Sequence, residues 1–179
     1  MSELARPQSL AVAAMLLAVR VVLGYFSNLT LNITPSIKFS FSFLPIALCS
    51  ALFGPSVGGI VGALGDIFSY ILQPSGGAYF PGWTLNAMLG GIIYGLLLYK
   101  VQTTPLKLLV RIIISKVIIT IFVELLLGTF WLYVQFGMPY LVTLGGRAIK
   151  QLIFTPIEIA IIFAFLKAPA LAKVIRKQR

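Results

Sequence analysis

The chain has 179 residues, 59% of them hydrophobic and 10% charged, and its mean hydropathy is +1.02. A water-soluble domain needs far more surface charge than that, so the solvent is lipid, where unpaired backbone groups are too costly for anything but helices or closed barrels. With no His and a single Cys, zinc-His motifs, Ser-His-Asp and Cys-His catalysis, histidine proton relays and internal disulfides are all excluded.

The fold class expected is an all-α membrane protein, a six-transmembrane-helix bundle in one domain over residues 1–179, since the length holds about six spans of ~20 residues. Hydropathy and breaker residues place the spans near Ser9 to Tyr25, Phe41 to Phe53, Val57 to Leu72, Trp83 to Tyr99, Leu108 to Tyr133 and Gly146 to Leu166. The first run has the length of a signal-peptide core, but it contains Arg20 and leads into Ser27-Asn28, so it reads as a retained helix. The second contains Cys49, expected as core filler, and Pro45, which kinks or begins the helix. Gly54-Pro55 leaves almost no loop before the third span, so spans two and three form a tight hairpin.

The net charge of +10 is scattered at span ends rather than gathered on one face, which argues for membrane topology and against nucleic acid. With the N-terminus in the cytoplasm, inner segments carry Arg6, Lys100, Lys107, Arg111, Lys167, Lys173, Arg176, Lys177 and Arg179. Outer segments then carry only Lys38, Arg147 and Lys150, so both termini are expected to be cytoplasmic. The long connections, Phe26 to Ser40, Gln73 to Gly82 and Val134 to Gly145, fall outside, where function is expected.

Small residues recur at helical spacing in Ala14-Met-Leu-Leu-Ala18, Gly58-Gly-Ile-Val-Gly62 and Gly91-Ile-Ile-Tyr-Gly95, a pattern that lets helices approach closely in lipid. Ionisable groups inside spans cost ~2.5–3.5 kcal/mol each and need a partner or a polar cavity. Asp66 stands among Gly62, Gly65 and Ser69, where its carboxylate either accepts paired hydrogen bonds from a ligand edge or pairs with Arg20. Lys116 and Glu124, eight apart, share a face without touching, Glu124 can instead meet Lys150 or Arg147 across the bundle, and Glu158 is expected in a structural pairing.

Tyr79, Phe80 and Trp83 precede Asn86 by a turn or two, an arrangement that stacks a flat heterocycle and fixes its edge, although an interfacial aromatic belt explains the rings equally. Arg147 and Lys150, on one helix face, either attract an anionic ligand group or snorkel to the interface. A cationic rim, an aromatic waist and an acidic floor together suit an elongated ligand with a ring at one end and a carboxylate at the other. No Gly-x-x-x-x-Gly-Lys-Ser/Thr occurs, so any ATP hydrolysis belongs to another chain, and no half of the chain repeats the other, against a self-sufficient alternating-access transporter. No cofactor is expected.

Three stretches carry a family resemblance. They are Phe39-Ser-Phe-Ser-Phe-Leu-Pro-Ile-Ala47 continuing through Leu52-Phe-Gly-Pro-Ser-Val-Gly-Gly-Ile-Val-Gly-Ala-Leu-Gly-Asp66, then Pro74-Ser-Gly-Gly-Ala-Tyr-Phe-Pro-Gly-Trp83, and Arg147 with Phe154-Thr-Pro-Ile-Glu158. The chain resembles the substrate-binding S-components of energy-coupling factor vitamin transporters, most closely the folate type. The resemblance implies a multi-pass protein of a prokaryotic cell membrane, not an enzyme, that captures its vitamin from outside. Its partners would be a transmembrane coupling subunit, met through Ala14 and Ala18 on the first helix, and two ATPase subunits; it would topple in the lipid bilayer to carry the ligand inward.

Folate capture would stack the pterin near Trp83 with Asp66 or Asn86 at its edge, lay the linker among Phe39, Phe41, Tyr79 and Phe80, and hold the glutamate tail at Arg147 or Lys150. Another vitamin, such as pantothenate or a pyrimidine, is the alternative within the family. An intramembrane lipid enzyme using Asp66, Glu124 and Glu158, and a pore or scaffold subunit, are the alternatives outside it.

Overall fold

The computed structural model describes residues 7–30, 41–72, 79–99 and 104–167, and everything described is helix or short connection. The helices, in chain order, are α1 (Pro7–Thr30), α2 (Phe43–Phe53), α3 (Pro55–Leu72), α4 (Pro81–Leu98), α5 (Pro105–Ile118), a π-helical segment (Ile119–Leu127), α6 (Gly128–Phe136) and α7 (Tyr140–Lys167). α1, α3, α4 and α7 are long and apolar enough to cross a membrane, and α2 is a shorter apolar helix. The chain is therefore a helical membrane protein.

Proline starts four of these helices, at Pro7, Pro55, Pro81 and Pro105, where its fixed φ suits the first turn and its missing N–H costs nothing. The α2–α3 hairpin forms as its sequence predicts. Gly54 takes φ +90°, which an L side chain rarely adopts, its N–H caps the Ser50 carbonyl, and Pro55 restarts the helix at once. Pro45 lies in the first turn of α2 and begins it rather than kinking it.

α2 is buried almost along its whole length and is the axis of the bundle, packed by α1, α3, α4 and α7. α3 and α4 make the most extensive contact of all. Their backbones touch where Gly58 faces Gly91, and Ser50 Oγ bridges from α2 to the Gly91 carbonyl at 2.9 Å, so the glycine patterns of α3 and α4 serve packing inside the chain. Cys49 is buried among apolar side chains. By contrast α7 carries a row of exposed apolar residues, Leu141, Val142, Ile149, Leu152 and Ile153, as a lipid-facing helix does.

Two sequence expectations need correction. The stretch Val134 to Gly145, expected as a long connection, is mostly helical: α6 runs to Phe136, Gly137 ends it at φ +64°, and α7 starts at Tyr140. Apolar Leu141, Val142 and Leu144 let the helix continue despite Gly145 and Gly146. Arg147 and Lys150 consequently sit two to three turns inside α7 rather than at its start. The second correction concerns Lys116 and Glu124, which do touch; the π-helical segment between them is the reason.

Candidate functional site

The end of α3, the start of α4, the end of α6 and the start of α7 lie at one end of the bundle, which gathers most of the expected site residues. Asp66, in the fourth turn of α3, accepts a hydrogen bond at Oδ2 from Thr84 Oγ1 at 2.7 Å. Because the one Thr84 proton goes to the carboxylate, the Tyr79 hydroxyl, 2.6 Å away, donates to Thr84. Tyr79 also meets Tyr70 edge-on, with centroids 5.3 Å apart. These two tyrosines, with Ile67 and Ile71, line a cleft of about 330 Å³ one turn beyond Asp66.

Arg20 does not reach for the Asp66 carboxylate. Its Nη1 donates to the carbonyls of Val61, at 3.0 Å, and Gly62, and its Nε has no hydrogen-bond partner. The guanidinium occupies the space over Gly65, which any larger residue would close. Among the described residues Asp66 is hydrogen-bonded only to Thr84, which leaves the rest of the carboxylate's hydrogen-bonding capacity open.

Phe80, just ahead of α4, stacks edge-on against Trp131 of α6 at 5.4 Å, and Phe130 tilts onto the same indole at 5.2 Å. Gly82 makes room for it, since a Cβ there would stand 2.7 Å from the Trp131 ring. Asn86 fixes the indole from below: Trp131 Nε1 donates to its Oδ1 at 3.0 Å, while its Nδ2 donates to the Val123 carbonyl at 3.1 Å. Both ends of this amide are thus spent on the protein. Trp83 donates from Nε1 to Gln135 Oε1 at 3.0 Å, clipping α4 to α6 a turn above.

On α7, the Arg147 guanidinium lies against Gly128, its Nη2 2.8 Å from where a Cβ would stand. Lys150 lies over the Phe154 ring at 5.9 Å. Deeper in, Lys116, fully buried, places its ammonium 2.9 Å from Glu124 Oε1 and 2.5 Å from Glu158 Oε2, and Gln151 Nε2 donates to the other Glu124 oxygen. The three carboxylates therefore do not converge as a catalytic set would: two share an ammonium and the third is on the far side of α4.

Phe41 is exposed ahead of α2, and Phe39 lies outside the described residues. Ala14 and Ala18 are exposed on α1, on the side away from buried Ala13 and Arg20. Sequence reasoning missed Thr84, Trp131, Gln135 and Gln151. Gln151 was within reach, as a polar residue one turn below Arg147, and so was Gln135, alone in an apolar run; Trp131 and Thr84 gain meaning only from partners 45 and 18 residues away.

The geometry can be set beside known proteins. The sequence profile of the family "ECF transporter, substrate-specific component" matches residues 8–175. The chain is 37% identical over 130 residues, 73% of each sequence, to the folate transporter FolT of Clostridium novyi (strain NT). It is 28% identical over 170 residues to FolT of Leuconostoc mesenteroides subsp. mesenteroides, covering 92% of this chain and 87% of that one. A crystal structure of FolT bound with folic acid superposes with a TM-score of 0.79 at 34% identity, covering 89% of this chain and 93% of that one. Such relatives are transport proteins rather than enzymes. The chain is a multi-pass membrane protein that belongs to the family of substrate-specific components of ECF transporters.

Proposed function

We propose that this chain captures folate at the end of the bundle formed by α3, α4, α6 and α7, and delivers it across the cell membrane of a prokaryote as the substrate-binding subunit of an ATP-driven transporter. α5, the π-helical segment and α6 run on without a break and serve as one span, giving six spans in a single domain. Both termini are cytoplasmic, because nine cations belong to the inner segments, whereas Arg147 and Lys150 lie inside α7 and only Lys38 is left to the outer ones. The observation that carries the reading is the likeness, over 89% of this chain, to a FolT whose crystal structure holds folic acid.

In this reading the free lone pairs of Asp66 accept from the amino and ring N–H groups of the pterin, with Thr84 holding the carboxylate in place. The aromatic side chains Phe39, Phe41, Tyr79, Phe80 and Trp83 contact the rings and linker, and Asn86 serves by orienting Trp131. Arg147 and Lys150 take the glutamate tail. A transmembrane coupling subunit and two ATPase subunits supply the power stroke. The exposed Ala14 and Ala18 face of α1 supports a docking surface there.

The expected outcome is that purified protein binds folic acid saturably in calorimetry and that mass spectrometry of the purified protein detects a co-purifying folate. Asp66→Ala is expected to weaken binding by about 100-fold or more, because two hydrogen bonds to a charged group are lost, each contributing ~1.5–3 kcal/mol. A stronger response to pantothenate or a pyrimidine than to folic acid moves the chain to another vitamin. Unchanged affinity in Asp66→Ala removes that carboxylate from the site.

A further inference from the structure

The polar residues between the fifth span and α7 fall in register. Gly128 faces Arg147, Glu124 faces Gln151, Thr120 Oγ1 stands 3.4 Å from Thr155 Oγ1, and Lys116 pairs with Glu158. Each step is one turn down both helices, which run antiparallel. Signs alternate along the charged rungs: Arg147 positive, Glu124 negative, Lys116 positive, Glu158 negative. The ladder spends twelve positions on one helix, from Lys116 to Gly128, and eleven on the other, from Arg147 to Glu158. Eleven residues make about three α-helical turns, whereas twelve overshoot by about a third of a turn. The π-helical segment Ile119–Leu127 takes up the extra residue, which keeps Lys116, Glu124 and Gly128 on one stripe.

The top rung is where this ladder meets the ligand. Gly128 has no side chain, so the Arg147 guanidinium lies on the helix face one turn from Glu124. Glu124, four residues before Gly128 on the same helix face, lies next along the seam, and Gln151 holds its outer oxygen one turn below Arg147. Lys116 holds the other oxygen. An anion arriving at Arg147 therefore competes with a negative charge already present, and Lys116 remains to balance Glu124 once Arg147 is drawn away.

We propose that Glu124 is a specificity-determining residue of the ligand site: it competes with the ligand carboxylate for Arg147 and so sets how strongly the protein discriminates for an anionic tail. The proposal rests on the assignment of Arg147 to the glutamate tail. Glu124 attracts the Arg147 guanidinium across the one-turn gap, and affinity for the tail is the difference between the two partners rather than the full strength of one.

The test compares folic acid with folic acid whose carboxylates are both capped as amides, by calorimetry on the purified protein. Glu124→Gln tightens folic acid about fivefold and leaves the diamide unchanged, the size expected for removing one partly screened charge competitor. Glu158→Gln, which removes the same charge from the lowest rung, produces a smaller change. Gly128→Ala moves the guanidinium without altering any charge and changes the affinity for folic acid only, so the proposal stays testable if Glu124→Gln does not fold. Equal tightening by Glu124→Gln and Glu158→Gln, weaker binding in Glu124→Gln, or an identical response of the two ligands in Glu124→Gln or Gly128→Ala overturns it while folate capture stands. Wild-type protein that binds folic acid and the diamide equally overturns both this proposal and the tail assignment.

Discussion

Lys116 shows how one side chain can decide what a helix bundle tolerates. A lone ammonium in hydrocarbon costs several kcal/mol, yet here it is fully buried, held between Glu124 and Glu158 and lying 5.9 Å from the face of Phe43. Removing one partner of such a set costs more than the set contributes, because the remaining charges are left unbalanced. Lys116→Met is accordingly expected to destabilise the protein by about 3–5 kcal/mol, seen as a lower melting temperature in detergent. Neutralising both carboxylates as well should restore most of the loss. A single Lys116→Met protein that melts like its parent would mean that the carboxylates carry no charge in the folded state. Asp66 differs in kind: among the described residues a Thr84 hydroxyl, not an ion pair, holds it.

The fifth span is the element on which the site is hung. Nine residues of π-helix between α5 and α6 displace the outer half of the span relative to the inner half. The Val123 carbonyl there accepts both the Gly128 N–H and the Asn86 amide. One element thus positions Trp131 for the aromatic wall and Glu124 for the polar seam. Deleting one residue between 119 and 127 should restore a continuous α-helix and turn Lys116 by about 100° away from Glu158. The expected result is a loss of stability comparable to that of Lys116→Met, read from the same melting experiment. A deletion variant with parental stability would show that the seam can be rebuilt in another register.

Across the whole molecule, the two faces of the bundle have separate tasks. α2 is enclosed, α7 presents apolar residues to lipid, and α1 presents Ala14 and Ala18 opposite its buried side. Replacing both alanines by Leu should leave folic acid binding by the isolated protein intact while reducing uptake in cells at least tenfold, if close backbone approach to a coupling subunit requires small residues there. Uptake that survives the double substitution would place that contact elsewhere.

Composition alone dictated a helical membrane chain, since lipid leaves the backbone no other way to satisfy its own hydrogen bonds, and Gly54-Pro55 announced its hairpin through local conformational preference. The residues proposed for the ligand site, Asp66, Tyr79, Phe80 and Arg147 among them, stood out because charge and aromatic rings at span ends are expensive or purposeful wherever they occur. What tertiary structure decided was partnership. Asn86 reads as a ligand contact until Val123 and Trp131 take both its ends, and Arg20 reads as the partner of Asp66 until the carbonyls of Val61 and Gly62 claim it. Lys116 and Glu124 appear too far apart for contact on an ideal α-helix, and only packing against α7 selects the π-helical turn that joins them. Local sequence fixes where a side chain leaves its own helix; which group it meets depends on the register of another.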